Sequence, residues 1–212
     1  MPADPFAERP VSLPYAERPA DGEPEGAFVL VHGRGASEYD LLGLFDALDP
    51  ERRFYGYSPR GPLALAPGGA HWYAVPRVGY PDPATFVQGY AALSEFVDAL
   101  PYERVVLGGF SQGAVMSLAV GLGTGRPRPV AVIAFSGFVP IVEGLELDAS
   151  RPFPPIAMGH GTYDPVIPVE HAHRSLAELE AAGAEVLYRE SPIDHTIDPA
   201  FVRELVPWLE AL

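Results

Sequence analysis

The sequence feature that most constrains the fold is the pentapeptide Gly109-Phe110-Ser111-Gln112-Gly113. The largely apolar, β-branched run at 104–108 predicts a buried strand before it, and residues 112–120 predict a helix after it. A G-x-S-x-G pattern in a strand–turn–helix context is typical of a nucleophile elbow. The glycines allow strand and helix to cross closely beneath a serine held on a strained turn. The helix N-terminus would then direct free N–H groups to the place where negative charge develops.

Strand-like and helix-like segments alternate along the rest of the chain. Short apolar runs that predict strands lie at 27–31, 53–57, 130–135, 156–160 and 185–189. Helix starts are predicted at Ser37, which forms a capping-box pattern with Asp40, and at Asp82-Pro83, Pro168 and Asp198-Pro199. This alternation predicts an α/β fold with a single mostly parallel sheet and helices on both faces.

The length of 212 residues and the absence of internal repeats indicate one folded domain, which we place at 26–212. Residues 1–25 are rich in Pro, Glu and Asp and are predicted to be an N-terminal tail or an edge strand, with 11–15 as the candidate strand. The segments 58–80 and 138–155 are predicted to be long irregular loops, and loops of that length commonly line a functional site.

Composition excludes several classes of function. The chain has no Cys and no Lys, which rules out a thiolate nucleophile, Cys-bound metal, Schiff-base chemistry and a P-loop. The net charge of −14 disfavours nucleic acid and stable association with an anionic membrane. No stretch approaches the ~20 apolar residues that a spanning helix needs, and no signal peptide is visible, so a cytoplasmic location is expected. His171 and His173 lie two apart on a predicted helix and make a poor metal pair, so no metal is expected.

Three residues at predicted strand ends suit nucleophilic catalysis. Ser111, Asp164 and His195 each follow a strand, and the carboxyl ends of parallel strands meet at one edge of the sheet. A serine hydroxyl needs a base to activate it, and the base needs a carboxylate to orient it. We therefore predict Ser111 as the nucleophile, His195 as the base and Asp164 as the orienting carboxylate. Asp194 is a poorer acid because adjacent side chains seldom face each other. Each of the three residues also has a structural alternative to its catalytic role. Ser111 could be a small residue at a tight crossing of strand and helix, Asp164 could form a turn before Pro165, and His195 could be a surface histidine.

Acyl transfer also needs two hydrogen-bond donors where the oxyanion forms. The backbone N–H groups of Gln112 and Arg34 are the candidates, and the Arg34 guanidinium is expected to help recruit substrates with an anionic or polar leaving part. The aromatic residues Trp72, Tyr73 and Phe138 either line an acyl groove or fill the core. His32 and His160 follow strands and are expected to be hydrogen-bonded structural histidines.

Four motifs together resemble the phospholipase/carboxylesterase family, which includes the acyl-protein thioesterases. They are Leu30-Val31-His32-Gly33-Arg34-Gly35, the elbow, His160-Gly161-Thr162-Tyr163-Asp164 and Asp194-His195-Thr196-Ile197. The resemblance implies the α/β-hydrolase fold with minimal or no lid, the triad of Ser111, Asp164 and His195, and oxyanion amides from Arg34 and Gln112. It also implies ester or thioester hydrolysis without a cofactor. His71-Trp72-Tyr73 looks like the family's Trp-aromatic motif, but 74–77 lacks the acidic residue common there in eukaryotic thioesterases, which favours small esters.

The function predicted from the sequence is a serine carboxylesterase that cleaves esters of short to medium acyl chains through an acyl-enzyme on Ser111. A lysophospholipase or an acyl-protein thioesterase is the first alternative within enzymes. A serine peptidase of the same fold is a further one, which the lack of a propeller or cap domain to select peptides disfavours. A non-catalytic, ligand-binding relative of the same fold is the alternative from another class. The expected partner is a small-molecule ester, with no cofactor and no metal, and a homodimer is left open.

Overall fold

The computed structural model describes residues 13–212, which form a large sheet, a small hairpin and five helices. The strands are β1 Tyr15–Arg18, β2 Ala27–Val31, β3 Tyr55–Pro59, β4 Leu63–Leu65, β5 Gly69–His71, β6 Val105–Phe110, β7 Ala131–Phe135, β8 Ile156–Gly161 and β9 Val186–Ser191. The helices are α1 Leu42–Leu48, α2 Pro83–Ala99, α3 Gln112–Leu122, α4 Glu170–Ala181 and α5 Pro199–Glu210.

The large sheet has seven strands in the order β1-β3-β2-β6-β7-β8-β9. All neighbouring pairs are parallel except the edge pair of β1 and β3, which is antiparallel. The predicted α/β architecture, with one mostly parallel sheet, is therefore confirmed. The carboxyl ends of β6, β8 and β9 meet along one edge of this sheet, and the loops that follow them carry the candidate site.

Both faces of the sheet are covered, which explains why the central strands are apolar at every position. Along β2, Val29 and Val31 pack in the cluster that α2 and α3 complete, while Phe28 and Leu30 pack in the cluster that α1 and α5 complete. Alternate side chains of a strand point to opposite faces, so a strand covered on both sides needs apolar residues throughout. Helix α3 is buried along its whole length because it lies between the sheet and its neighbours.

The turn from β6 to α3 is packed tightly against the end of β2. Ser111 has φ 56° and ψ −119°, a conformation that residues other than glycine seldom adopt. A Cβ on Gly113 would overlap the carbonyl of Val31, and one on Gly109 would lie 2.7 Å from the same oxygen. The Ser111 N–H donates to the carbonyl of Phe135 at 2.9 Å and helps to hold the strained residue in place.

Two local predictions are wrong. The helix predicted to start at Ser37 begins at Leu42, because the Asp40 N–H donates to the Ser37 carbonyl in a turn instead of to the hydroxyl that a capping box uses. The segment predicted as an irregular loop at 58–80 contains the hairpin of β4 and β5. Its strands have three residues each and too little apolar alternation to be recognised.

The edge strand lies further along the chain than the predicted 11–15, of which residues 11 and 12 fall outside the described residues. Strand β1 is secured by Arg18, a buried side chain that donates to Asp49 at 2.8 Å and to the Phe54 carbonyl at 3.0 Å. A polar strand held by a buried ion pair does not show the apolar alternation that sequence patterns detect.

Replacement of Gly113 by alanine should lower the free energy of unfolding by ~3 kcal/mol or more, because the backbone of Val31 leaves no room for a methyl group. Gly43→Ala is the matched control, since Gly43 lies in α1 with nothing within 4 Å of the added Cβ. That variant should be neutral or up to ~1 kcal/mol more stable. Urea unfolding measures both; equal stability of Gly113→Ala and wild type would contradict the packing described for this junction.

Candidate active site

Ser111, His195 and Asp164 form a continuous chain of hydrogen bonds at the carboxyl edge of the sheet. The Ser111 hydroxyl donates to Nε2 of His195 at 3.0 Å, and Nδ1–H of His195 donates to Oδ2 of Asp164 at 2.6 Å. The Asp164 side chain is 0% exposed and the His195 side chain is 16% exposed. The structure thus brings together three side chains that are up to 84 residues apart in the sequence.

Asp164 is held by its own loop. Its second oxygen, Oδ1, accepts hydrogen bonds from the backbone N–H groups of Val166 and Ile167, both at 2.8 Å. Asp164 therefore orders the turn through Pro165 and binds His195 at the same time, so the two roles considered for it coexist. Asp194 is exposed and makes no bond to His195 within residues 13–212.

The loop of His195 is attached to the end of β8. The N–H groups of Thr162 and Tyr163 donate to the carbonyls of Ser191 and Ile193, at 2.8 and 3.0 Å. A Cβ on Gly161 would overlap this loop, so only glycine permits the approach. The imidazole of His195 also packs on the ring of Phe110, with 4.8 Å between centroids. These contacts fix the orientation of the histidine before any ligand binds.

The two candidate oxyanion donors lie beside Ser111. In the part of the chain that the structure describes, the backbone N–H groups of Arg34 and Gln112 donate to no other protein group. Gln112 is the first residue of α3, and Arg34 belongs to the loop after β2. Strand β5 holds that loop, because the Gly35 N–H donates to the Ala70 carbonyl at 2.8 Å and the Ala70 N–H to Ala36 at 2.8 Å.

The side chain of Gln112 has a role that sequence analysis missed. Its amide nitrogen donates to the Tyr73 carbonyl at 2.8 Å, and its amide oxygen accepts from the Trp72 N–H at 3.0 Å. The Gln112 amide therefore attaches the 72–73 segment to the elbow. Residues 113–120 are almost all apolar or small, and a polar residue that opens a buried helix must find hydrogen-bond partners. This requirement is the signal in the sequence that could have identified the role of Gln112.

The expected aromatic lining needs one correction. Trp72 does not line the cleft: it is 0% exposed, and its indole N–H donates to the His32 carbonyl at 3.0 Å. The Trp72 ring fills the core under the loop that carries Arg34. Filling the core is the other role that the sequence analysis considered for Trp72. Tyr73 and Phe138 do line the cleft beside Ser111, although both are almost entirely buried.

The cleft beside Ser111 has a volume of about 340 Å³. Its walls are mostly apolar, and its charged lining residues are Arg34 and Arg77. In the described part of the chain, the lining of the cleft comes from loops and from the first residue of α3, and no helix covers it. The lining residues are Arg34, Tyr73, Val75, Arg77, Val78, Gly79, Tyr80, Pro81, Ser111, Gln112, Phe138, Val166 and Ile167.

Two further histidines near the site are structural. Nδ1–H of His32 donates to the Gly33 carbonyl at 2.7 Å, and its Nε2 accepts from the Gly61 N–H at 3.0 Å. Nε2–H of His160 donates to the Ile167 carbonyl at 2.8 Å. Burial lowers the pKa of both side chains, which therefore stay neutral at pH 7.

Two other features concern the protein as a whole. Across residues 13–212, no group of three or more acidic or histidine side chains is placed to hold a metal ion. No helix in that range is both long and apolar enough to span a bilayer.

Comparison with known proteins places this site in a family. The model of the phospholipase/carboxylesterase family matches residues 18–212. Acyl-protein thioesterase 1 of Candida albicans is 28% identical over 187 residues, which are 74% of this chain and 78% of the relative. A Bacillus cereus carboxylesterase has a TM-score of 0.81 at 21% identity over 95% of each chain. The structure of esterase PE8 has a TM-score of 0.77 at 25% identity, over 94% of this chain and 98% of that one.

The fold and the family match define the class of protein: it is a hydrolase of the α/β-hydrolase fold. More particularly, the chain belongs to the phospholipase/carboxylesterase family, as its motifs predicted.

The buried His32 makes stability depend on pH. Its folded pKa lies below the usual value of 6.5, so the unfolded chain takes up a proton first as the pH falls. The contribution of His32 to the free energy of unfolding is therefore fully present well above pH 6.5 and is lost as the pH falls below this value. For one group this loss is at most ~1.4 kcal/mol per pH unit. Protonation would also place a second donor against the Gly61 N–H.

Urea unfolding of wild type and His32→Gln at pH 7.5 and 5.5 tests this expectation. These two pH values lie above the range in which ordinary carboxylates titrate. The loss of stability on acidification should be smaller in the variant than in the wild type. An equal loss in the two proteins would show that His32 does not take part.

Proposed function

We propose that the protein is a serine carboxylesterase that hydrolyses esters of short to medium acyl chains through an acyl-enzyme on Ser111. The observation that carries this proposal is the hydrogen-bonded chain from Ser111 through His195 to Asp164 at the mouth of a cleft. A non-catalytic binding protein would have no need for a strained serine that is hydrogen-bonded to an imidazole, which in turn is oriented by a buried carboxylate.

In the acylation step, Oγ of Ser111 attacks the ester carbonyl and its proton passes to Nε2 of His195. Asp164 holds the imidazole through Nδ1 and stabilises the positive charge that forms on it. The tetrahedral intermediate collapses as the imidazolium gives its proton to the departing alkoxide. The alcohol leaves, and the acyl group stays on Ser111.

In the deacylation step, a water molecule attacks the acyl carbonyl and gives a proton to Nε2 of His195. Collapse of the second intermediate returns this proton to Oγ of Ser111 and releases the carboxylic acid. In both steps the N–H groups of Arg34 and Gln112 would bind the oxyanion, and their lack of partners in the described chain leaves them available. Loss of one such donor typically costs 10²–10³-fold in rate.

The size of the cleft supports a small acyl group. At about 340 Å³ it lies near the lower end of the roughly 300–1,000 Å³ range of small-molecule pockets. Tyr73 and Phe138 limit its depth, because both pack into the core behind it.

A second candidate function is that of an acyl-protein thioesterase or lysophospholipase. The similarity to acyl-protein thioesterase 1 of Candida albicans favours it. The exposed apolar side chains at the rim of the cleft, Val75 and Val166, would give a longer chain a surface to lie on. The small cleft volume favours the carboxylesterase.

Replacement of Ser111 by alanine should lower kcat/KM for p-nitrophenyl butyrate by about 10⁴-fold or more, and His195→Gln should cost a similar factor, because both residues act as one unit. Ser117→Ala is the matched control. Ser117 is a buried serine of α3, and among the described residues its hydroxyl donates to the Gly113 carbonyl and to no other group, so its removal should leave the rate unchanged. Full activity of Ser111→Ala would contradict the proposed mechanism.

A panel of p-nitrophenyl esters of increasing acyl length, together with palmitoyl thioesters, separates the two candidate functions. The carboxylesterase predicts the highest kcat/KM at short to medium chains and a fall toward palmitoyl, because the cleft cannot enclose a long chain. The highest kcat/KM with palmitoyl thioesters would instead assign the acyl-protein thioesterase function.

A further inference from the structure

We propose that the cleft selects esters that carry an anionic group, and that the guanidinium groups of Arg34 and Arg77 bind this group beside the reacting carbonyl. The inference rests on the proposed function, since it assigns a substrate class to the same site. The chemistry recognised is a carboxylate or a phosphate attached to the acyl part or to the alcohol part of the ester.

The local charge of the cleft is opposite to that of the whole chain. The protein has 28 acidic and 14 basic residues, yet both charged residues that line the cleft are arginines. Among residues 13–212, no carboxylate lines the cleft to neutralise them. Since the net charge of −14 repels anions at long range, a pair of positive charges at the site would be needed to attract an anionic substrate.

The two arginines also differ from most others in the chain. Nine arginines between residues 13 and 212 form ion pairs with Asp or Glu. Within the same range, Arg34 and Arg77 have no carboxylate within 4.0 Å and donate no side-chain hydrogen bond to the protein. Their donors are therefore available to a ligand.

Arg77 is held ready for binding. Its guanidinium carbon lies 3.7 Å from the ring centroid of Tyr80, and the Tyr80 N–H donates to the Arg77 carbonyl at 3.0 Å. Gly79 turns this segment with φ 84°, and a Cβ on it would overlap His171 of α4. A stacked guanidinium keeps its N–H edge available, and the fixed turn lowers the conformational entropy lost when an anion binds.

The neighbouring side chains are apolar and indicate what the rest of the substrate is like. Val75 and Val166 line the cleft with exposed fractions of 39% and 50%, next to the buried Phe138. An ester seated here would place its hydrocarbon part on these residues. It would exclude water from around the arginines and strengthen their attraction for a negative charge.

Matched pairs of neutral and anionic esters test the inference. For the acyl side the pair is p-nitrophenyl pentanoate and mono-p-nitrophenyl glutarate. For the alcohol side, phenyl butyrate is compared with p-(butyryloxy)benzoate and with p-(butyryloxy)phenyl phosphate. The measured quantity is the ratio of kcat/KM for the anionic ester to that for its neutral partner. Intrinsic differences in ester reactivity cancel when this ratio is compared between wild type and variant.

We expect Arg34→Gln and Arg77→Gln each to lower this ratio about fivefold for at least one anionic ester, and the double variant about twentyfold, mainly through KM. Arg77→Lys should retain part of the preference, because it keeps the charge but loses the guanidinium that stacks on Tyr80. Arg203→Gln is the matched control. Arg203 is exposed on α5, is not among the lining residues of the cleft and forms no ion pair with the carboxylates that the structure describes, so its loss should leave the ratio unchanged. The ester whose ratio falls identifies the position and the type of the anion.

Equal ratios in wild type and double variant for every anionic ester would overturn the inference, and so would an equal fall in Arg203→Gln. The proposed function would still stand if the neutral esters were hydrolysed in a manner dependent on Ser111. If no ester, neutral or anionic, were hydrolysed by the wild type, both the proposed function and the inference would fail.

Discussion

The whole site depends on the close approach of the first turn of α3 to the backbone at the end of β2. Gly113 lies directly against the carbonyl of Val31, and Gly109 lies close to the same oxygen. This contact sets Ser111 on its strained turn and places the Gln112 N–H next to the loop that carries Arg34. A strained residue of this kind costs about 1–3 kcal/mol, which the surrounding fold must offset. The burial of α3 and the bond from Ser111 to Phe135 provide that support.

The remaining parts of the site are supplied by neighbouring strands, and each is tied to the next. Asp164 is fixed by two amides of its own loop, and His195 by that carboxylate and by Phe110. The Gln112 side chain attaches the aromatic wall of the cleft to the elbow. Groups that are oriented in advance avoid reorganisation during the reaction, and much of the catalytic effect in hydrolases of this kind arises from such preorganisation.

The order of strands and helices, and the residues that meet at the sheet edge, could be predicted because they follow from apolar periodicity and from the elbow motif. The start of α1 could not, since Ser37 and Asp40 suit a turn as well as a helix cap, and the backbone bond between them decides. The β4–β5 hairpin, which holds the loop of Arg34, depends on contacts distant in sequence. The position of Trp72 also depends on such contacts. The sequence left open whether Trp72 lines the cleft or fills the core, and the fold shows that it lies under the loop of Arg34 and away from the cleft.

Reaction with a fluorophosphonate tests the central claim most directly, because this reagent reacts preferentially with a serine that an oriented base activates. The account predicts one adduct per chain by intact mass, located on the peptide that contains Ser111, absent in Ser111→Ala and formed much more slowly in His195→Gln. Failure of the folded wild-type protein to react, or an adduct on another residue, would contradict it.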